Sequence, residues 1–198
     1  MASIFHFSFF NKFIPKITDI VDREIAVIRG HDEYSFHAQD LSALISGDTI
    51  VKTFFGIAFN EKIEDEPISA WFSRLITDTV IQERSIRYFL FGLKLLEAGL
   101  FRGDRDINRR ITLFKTMAKD LIEKRLAQMP QEEGTVLQAI YERGLLNAED
   151  GYTVEQLIDE FMVFFVAGTD TTAHLMTMCF YYLSLYPKHQ ETLRNEIN

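Results

Sequence analysis

Six consecutive residues, Ala167-Gly168-Thr169-Asp170-Thr171-Thr172, set a glycine, a carboxylate and three hydroxyls in the middle of an otherwise apolar stretch. The run before them, Phe161-Met162-Val163-Phe164-Phe165-Val166, is apolar all round, the pattern of a helix buried on every side. Threonine and aspartate are weak helix formers, and glycine costs about 1 kcal/mol relative to alanine. A buried carboxylate is costlier still unless something pairs with it. Local rules broken together in one place mark where a functional site is expected. At helical spacing Phe164, Ala167, Gly168, Thr171, Leu175 and Met178 share a stripe, so the smallest side chains and one hydroxyl lie on one face. Such a notch admits a flat, bulky group against the backbone, with the Thr171 hydroxyl at its edge. That hydroxyl can also bond back to the carbonyl of Ala167, bending the helix and opening space for water. Asp170, beside it, can feed protons toward that space. Spacing alone serves equally for a plain helix–helix contact, with Ala167 and Gly168 admitting a neighbour and the hydroxyls satisfied locally.

Other chemistries do not assemble. Asp104-x-Asp106-x-Asn108 starts like a calcium loop, but Arg109 stands where the loop needs Gly, and Lys115 where it closes with Glu. Among His6, His31, His37, His174 and His189 no two have the spacing of metal ligands on a helix. His174 lies one turn from Asp170, which suits a local Asp–His pair. Cys179, the single cysteine, sits in Met178-Cys179-Phe180-Tyr181 and reads as an inert core residue. One thiol neither closes an internal disulfide nor builds a Cys-type zinc site, and no metal site is predicted in the chain. There is no Gly-x-Ser-x-Gly, phosphate loop or dinucleotide fingerprint. With 29 acidic against 21 basic side chains, the net charge of −8 repels nucleic acid. Arg84, Arg87, Arg109 and Arg110 read as solvated helix faces.

The elements that must position the motif are helices, and the fold class is all-α. With 47% of its 198 residues hydrophobic, the chain has ample material for one core in one domain. Ile17, Ile20, Val21, Ile25 and Ile28 make a helical stripe between Pro15 and Gly30. A second helix runs from Leu41 to Phe55, where Gly56 stops it; others cover residues 71–96 and 107–129. Residues 61–67 and 103–106 read as loops, and 34–37 are at most extended. The central helix has the clearest start. Asn147, Asp150 and Gly151 make a turn, Thr153 and Gln156 form a capping box, and Tyr152 and Leu157 stand at the staple positions around it. Nothing stops this helix before Tyr186, because Pro187 forbids the helical state to the residue before it. It therefore runs from Thr153 to about Tyr186, long enough to cross a domain at about 1.5 Å per residue.

The first thirteen residues lack the basic start and continuous apolar run of a secretory signal. The tracts at 161–168 and 88–101 fall short of the roughly 20 uncharged residues that a spanning helix needs. Neither signal nor span is expected, and the chain reads as intracellular. Phe89, Leu90, Phe91, Leu93, Leu100 and Phe101 cluster enough for peripheral contact with a bilayer surface, and suit burial in a core as well.

The stretch from Phe164 to Thr172 resembles the central-helix signature of the cytochrome P-450 family, an Ala/Gly-Gly-x-acid-Thr-Thr run preceded by aromatic residues. Leu185-Tyr186-Pro187, followed by Gln190, Leu193, Arg194, Glu196 and Ile197, resembles the family's next helix. The stretch from Thr49 to Phe54-Phe55-Gly56 resembles an earlier one, and Phe5-His6-Phe7 to Pro15 the segment after its third main helix. The resemblance covers residues 5 to 197. It implies a haem-dependent monooxygenase that inserts one atom of molecular oxygen into a hydrophobic small molecule. Haem iron is the cofactor, and electrons come from an NADPH-dependent reductase or a ferredoxin. By that likeness Ala167, Gly168 and Thr172 contact the haem, Thr171 hydrogen-bonds oxygen there, Asp170 helps deliver protons, and Val163 and Val166 face substrate.

The sequence also departs from the family. It lacks the Phe-x-x-Gly loop with the cysteine that holds the haem, the Glu-x-x-Arg helix, and the Trp-x-x-x-Arg segment that grips the propionates. The expectation is therefore a single incomplete domain over residues 1–198, with the N-terminal part and the C-terminal haem-ligand part of the P-450 fold absent. The complete form is an enzyme, and this chain alone is inactive. The alternative is a truncated, non-catalytic helical protein that no longer binds haem. Association with the endoplasmic-reticulum membrane follows if the complete protein carries an N-terminal anchor.

Overall fold

Pro15 starts a helix without cost, since the N–H it lacks would have no partner in the first turn. Helix α1 (Ile14–Arg29) forms there and ends at Gly30, as the stripe predicts. The structure is a computed structural model that describes residues 11–30, 36–56, 62–63, 66–83, 94, 98–129, 134–146 and 151–197. Helix α2 (Ala38–Phe55) follows an extended His37 and is closed by Gly56, whose φ of 79° is the left-handed conformation that glycine adopts most easily. Residues 61–67, expected as loop, contain two short antiparallel strands: β1 (Lys62–Ile63) pairs with β2 (Glu66–Pro67). Helix α3 (Ile68–Glu83) covers the first part of the stretch expected to be helical to residue 96; apart from Lys94, residues 84–96 lie outside the described ones.

Helix α4 (Arg102–Ala127) corrects the loop expected at residues 103–106, which form its first turn. Gly103 is a poor helix former. However, Asp104 in the first turn faces the unpaired N–H groups and positive end of the helix, and that favours a start at this point. The short α5 (Val136–Glu142) was not foreseen; its cap is Thr135, whose hydroxyl accepts from the N–H of Gln138 at 3.1 Å. Helix α6 (Val154–Leu185) is 32 residues and about 48 Å long. Its capping box is complete: Gln156 N–H donates to Thr153 Oγ1 at 3.2 Å, and Thr153 N–H to Gln156 Oε1 at 2.8 Å. Leu157 is fully buried and Tyr152 packs on the same core. Pro187 opens α7 (Pro187–Ile197).

The core lies where α2, α3, α4 and α5 meet the first half of α6. Phe55 packs edge-on to Phe161 at 4.7 Å between ring centroids, and Phe114 stacks on Phe161 at 5.9 Å. Helix α2 runs antiparallel along α6, in contact from Phe54 beside Phe161 to Gln39, whose side chain accepts from the Thr177 hydroxyl at 2.9 Å. Ion pairs tie the outer helices on. Lys52 reaches Asp19, Arg110 reaches Asp78, and Lys115 reaches Asp159, at 3.0, 2.6 and 2.9 Å. Arg23 of α1 pairs with Asp48 of α2. Burial pushes the Asp48 carboxyl above its ordinary value, and the hydrogen bond and charge of Arg23 only partly offset this. Among the described residues no helix is long and apolar enough to cross a membrane.

Candidate functional site

Halfway along, α6 changes from a helix packed among several neighbours to one packed mainly along one side. Phe161, Phe165, Thr169 and Ala173, four residues apart, form its buried stripe. Val163 is 63% exposed and Val166 is exposed as well, so the stretch read as apolar on every side is buried on one side only. Ala167, Asp170, Thr171, Leu175 and Met178 are exposed too, and form an open face of mixed apolar and polar side chains, with Thr172 exposed farther round the helix.

On that face the Thr171 hydroxyl donates to the carbonyl of Ala167 at 2.6 Å. The bond fixes the side chain and leaves the hydroxyl's lone pairs turned outward to accept. Asp170 and His174, one turn apart, form no ion pair with each other, contrary to the local pair their spacing suggested; the chain is free to present both to solvent. Asp170 thus lies open to water.

The two small residues of the motif part company. Ala167 stays on the open face. Gly168 turns toward α2, where a Cβ would come within 2.7 Å of Ile50 Cδ1 and 3.1 Å of Ile50 Cγ1. Half of the motif therefore makes the helix–helix contact that spacing left open. Thr169 is only 2% exposed, and its hydroxyl makes no hydrogen bond among the described residues, whereas Thr171 and Thr177 bond back one turn. Sequence reasoning did not find Ile50. A helical glycine signals that some neighbour comes close, but which helix supplies it is decided by the tertiary pairing of α2 with α6.

Cys179 is exposed, a correction to its reading as a core residue: this part of α6 has α2 on one side and nothing among the described residues over Cys179. Its position also tests how a haem would fit. A flat group lying on the Ala167 face, with Thr171 at one side of its centre, needs its thiolate on the opposite side. Cys179 is on the same helix, about 12 Å farther along, so it cannot reach there. The open face, the small Ala167 and the fixed Thr171 hydroxyl fit the oxygen side of a haem pocket. The described residues do not supply its ligand side.

The family described as Cytochrome P-450 matches residues 1–198. The chain is 29% identical over 161 residues to a probable cytochrome P-450 6a13 of Drosophila melanogaster, covering 81% of this chain and 32% of that protein. It is 28% identical over 139 residues to a bifunctional cytochrome P-450/NADPH–P-450 reductase, ALT2, of Alternaria alternata, covering 68% of this chain and 12% of that one. Its fold matches the crystal structure of the cytochrome P-450DA heme domain with a TM-score of 0.70 at 17% identity, over 91% of this chain and 37% of that one. The chain thus spans about a third of the Drosophila relative and of the solved structure. Matched along its whole length by the family, it belongs to the cytochrome P-450 family.

Proposed function

We propose that this chain forms the oxygen-side wall of a haem-dependent monooxygenase, which inserts one atom of molecular oxygen into a hydrophobic organic substrate. The observation that carries the reading is the Thr171 hydroxyl, held by the Ala167 carbonyl on an exposed face with Asp170 beside it in sequence. When bound, haem supplies the iron at which oxygen is reduced and activated. Ala167 would offer the macrocycle a small side chain to lie against, and Thr172 would contact it from farther round the helix. Val163, one turn before Ala167, and Val166, next to it, give substrate an apolar surface. Gly168 contributes from behind, by letting α6 lie close to α2.

The protein's own chemistry here is proton handling. Thr171 already donates to a carbonyl, so its oxygen accepts a hydrogen bond from a water and holds that water in place. The Asp170 carboxylate takes protons from solvent and passes them along such waters, a relay of an acid, a hydroxyl and ordered water. Electrons come from a reductase, as the fused reductase named in the Alternaria relative suggests.

The test is made in the whole haem-bearing protein. Thr171→Ala should leave the haem content unchanged and send most reducing equivalents to peroxide, because the hydroxyl that orders the proton-bearing water is gone. Asp170→Asn should slow product formation by about 100-fold, the scale of a lost proton-transfer group. Unchanged product per electron in Thr171→Ala would rule out the role given to this hydroxyl.

A further inference from the structure

From the contact between Gly168 and α2, we infer that Ile50 is a positioning residue for the Ala167–Thr171 turn, setting how α6 presents its open face. The inference rests on the function proposed above for Thr171. Ile50 Cδ1 occupies the space that any side chain at position 168 would take, with 2.7 Å between it and an added Cβ. Ala167 and Gly168 are adjacent, so the carbonyl that holds the Thr171 hydroxyl belongs to the peptide that leads directly into the residue facing Ile50. The contact is braced on both sides. One turn along α2, Phe54 packs on Phe161 at 5.2 Å and lies 6.3 Å from Phe164. Farther along the other way, Gln39 holds Thr177. Because α6 is fixed at these two places, displacing Ile50 between them bends or rotates the turn instead of sliding the whole helix. Ile50 is β-branched and restricted at χ1 within a helix, so its Cγ1, at 3.1 Å from an added Cβ, keeps its place even where Cδ1 turns away about χ2.

The opposite side of the same turn explains why the effect reaches the site. Ala167 and Thr171 lie on the exposed face, with no described residue packed over them to resist a shift. A displacement imposed at Gly168 therefore appears as a change in where the Ala167 carbonyl and Thr171 hydroxyl stand relative to anything bound there.

The experiment compares Gly168→Ala, Gly168→Ala with Ile50→Val, and Thr171→Ala in the whole haem-bearing protein. The readouts are the ferric haem absorption with and without a hydrophobic substrate, the ratio of peroxide to product, and thermal unfolding. Gly168→Ala should change the spin-state response of the haem spectrum and raise the peroxide-to-product ratio about fivefold, the shift an overpacked contact of modest cost produces. Ile50→Val removes Cδ1 and should restore both toward the parent. A lower unfolding temperature with unchanged spectrum and ratio would make Ile50 a packing residue only and overturn the inference. So would failure of Ile50→Val to rescue. If Gly168→Ala does not fold, Ile50→Ala, which empties the contact, should move spectrum and ratio in its place; unchanged values again overturn the inference. Thr171→Ala separates the two levels. If it uncouples while the Gly168 variant does not, only the positioning role falls; if Thr171→Ala is neutral, the function proposed for that hydroxyl falls and the inference with it.

Discussion

Asp48 is a carboxylate whose surroundings work against its charge. Burial raises its pKa and the Arg23 guanidinium opposes this without cancelling it, so the folded protein holds the Asp48 proton to higher pH than the unfolded chain does. A raised folded value contributes stability in acid, and that contribution is lost as pH rises through it. Asp48→Asn should therefore match the parent in acid and become progressively more stable than it toward neutral pH. Denaturant unfolding of both proteins across that range checks this; a difference that does not change with pH would show that Asp48 titrates alike in both states. At this scale the sequence was readable where a residue's chemistry is local. The Thr171 bond to Ala167 follows from four-residue spacing alone. Ile50, the burial of Thr169 and the exposure of Cys179 were not readable, because each depends on which helix lies opposite.

Among the elements, those bounded by strong caps were the easiest to foresee. Helices α1, α2 and α6 end at Gly30, Gly56 and Tyr186, where glycine or a following proline stops them. Helix α5 escaped notice because seven residues are too few to establish a period, although Thr135 and Gln138 carry a cap signal. The start of α4 is harder to read, because Gly103 is a poor helix former while Asp104 marks an acidic first turn. The capping box of α6 gives a direct prediction. Thr153→Ala leaves the Gln156 N–H without its acceptor and should cost about 1 kcal/mol, while Thr153→Ser should cost far less. Phe161→Ala should cost more, about 3–5 kcal/mol, since the ring is fully buried against Phe54, Phe55 and Phe114. Urea unfolding of each variant measures both; equal losses would mean that α6 is held by its end as firmly as by its core.

For the whole molecule, the second half of α6 and α7 leave Leu175, Met178, Tyr181, Leu185 and Ile197 exposed. Exposed apolar side chains in such number favour association with other surfaces. The 198-residue chain on its own should bind an apolar-surface dye and sediment as a concentration-dependent mixture; a monodisperse monomer with no dye binding would contradict this. The same polypeptide should not give the absorption band of a carbon-monoxide-bound ferrous haem thiolate, because its one cysteine lies along the helix that would face the oxygen side. A clear band from residues 1–198 would show that Cys179 ligates after all. The seam between α2 and α6 also constrains how the chain is made. Gln39 and Thr177 meet across 138 positions of sequence, and at about 5–20 residues per second a ribosome needs roughly 10 s to supply the second after the first. During that interval Ile50, Phe54 and Phe55 have emerged before their partner helix exists, so newly made α2 depends on chaperones or on its contacts with α1 to escape misassociation until α6 arrives.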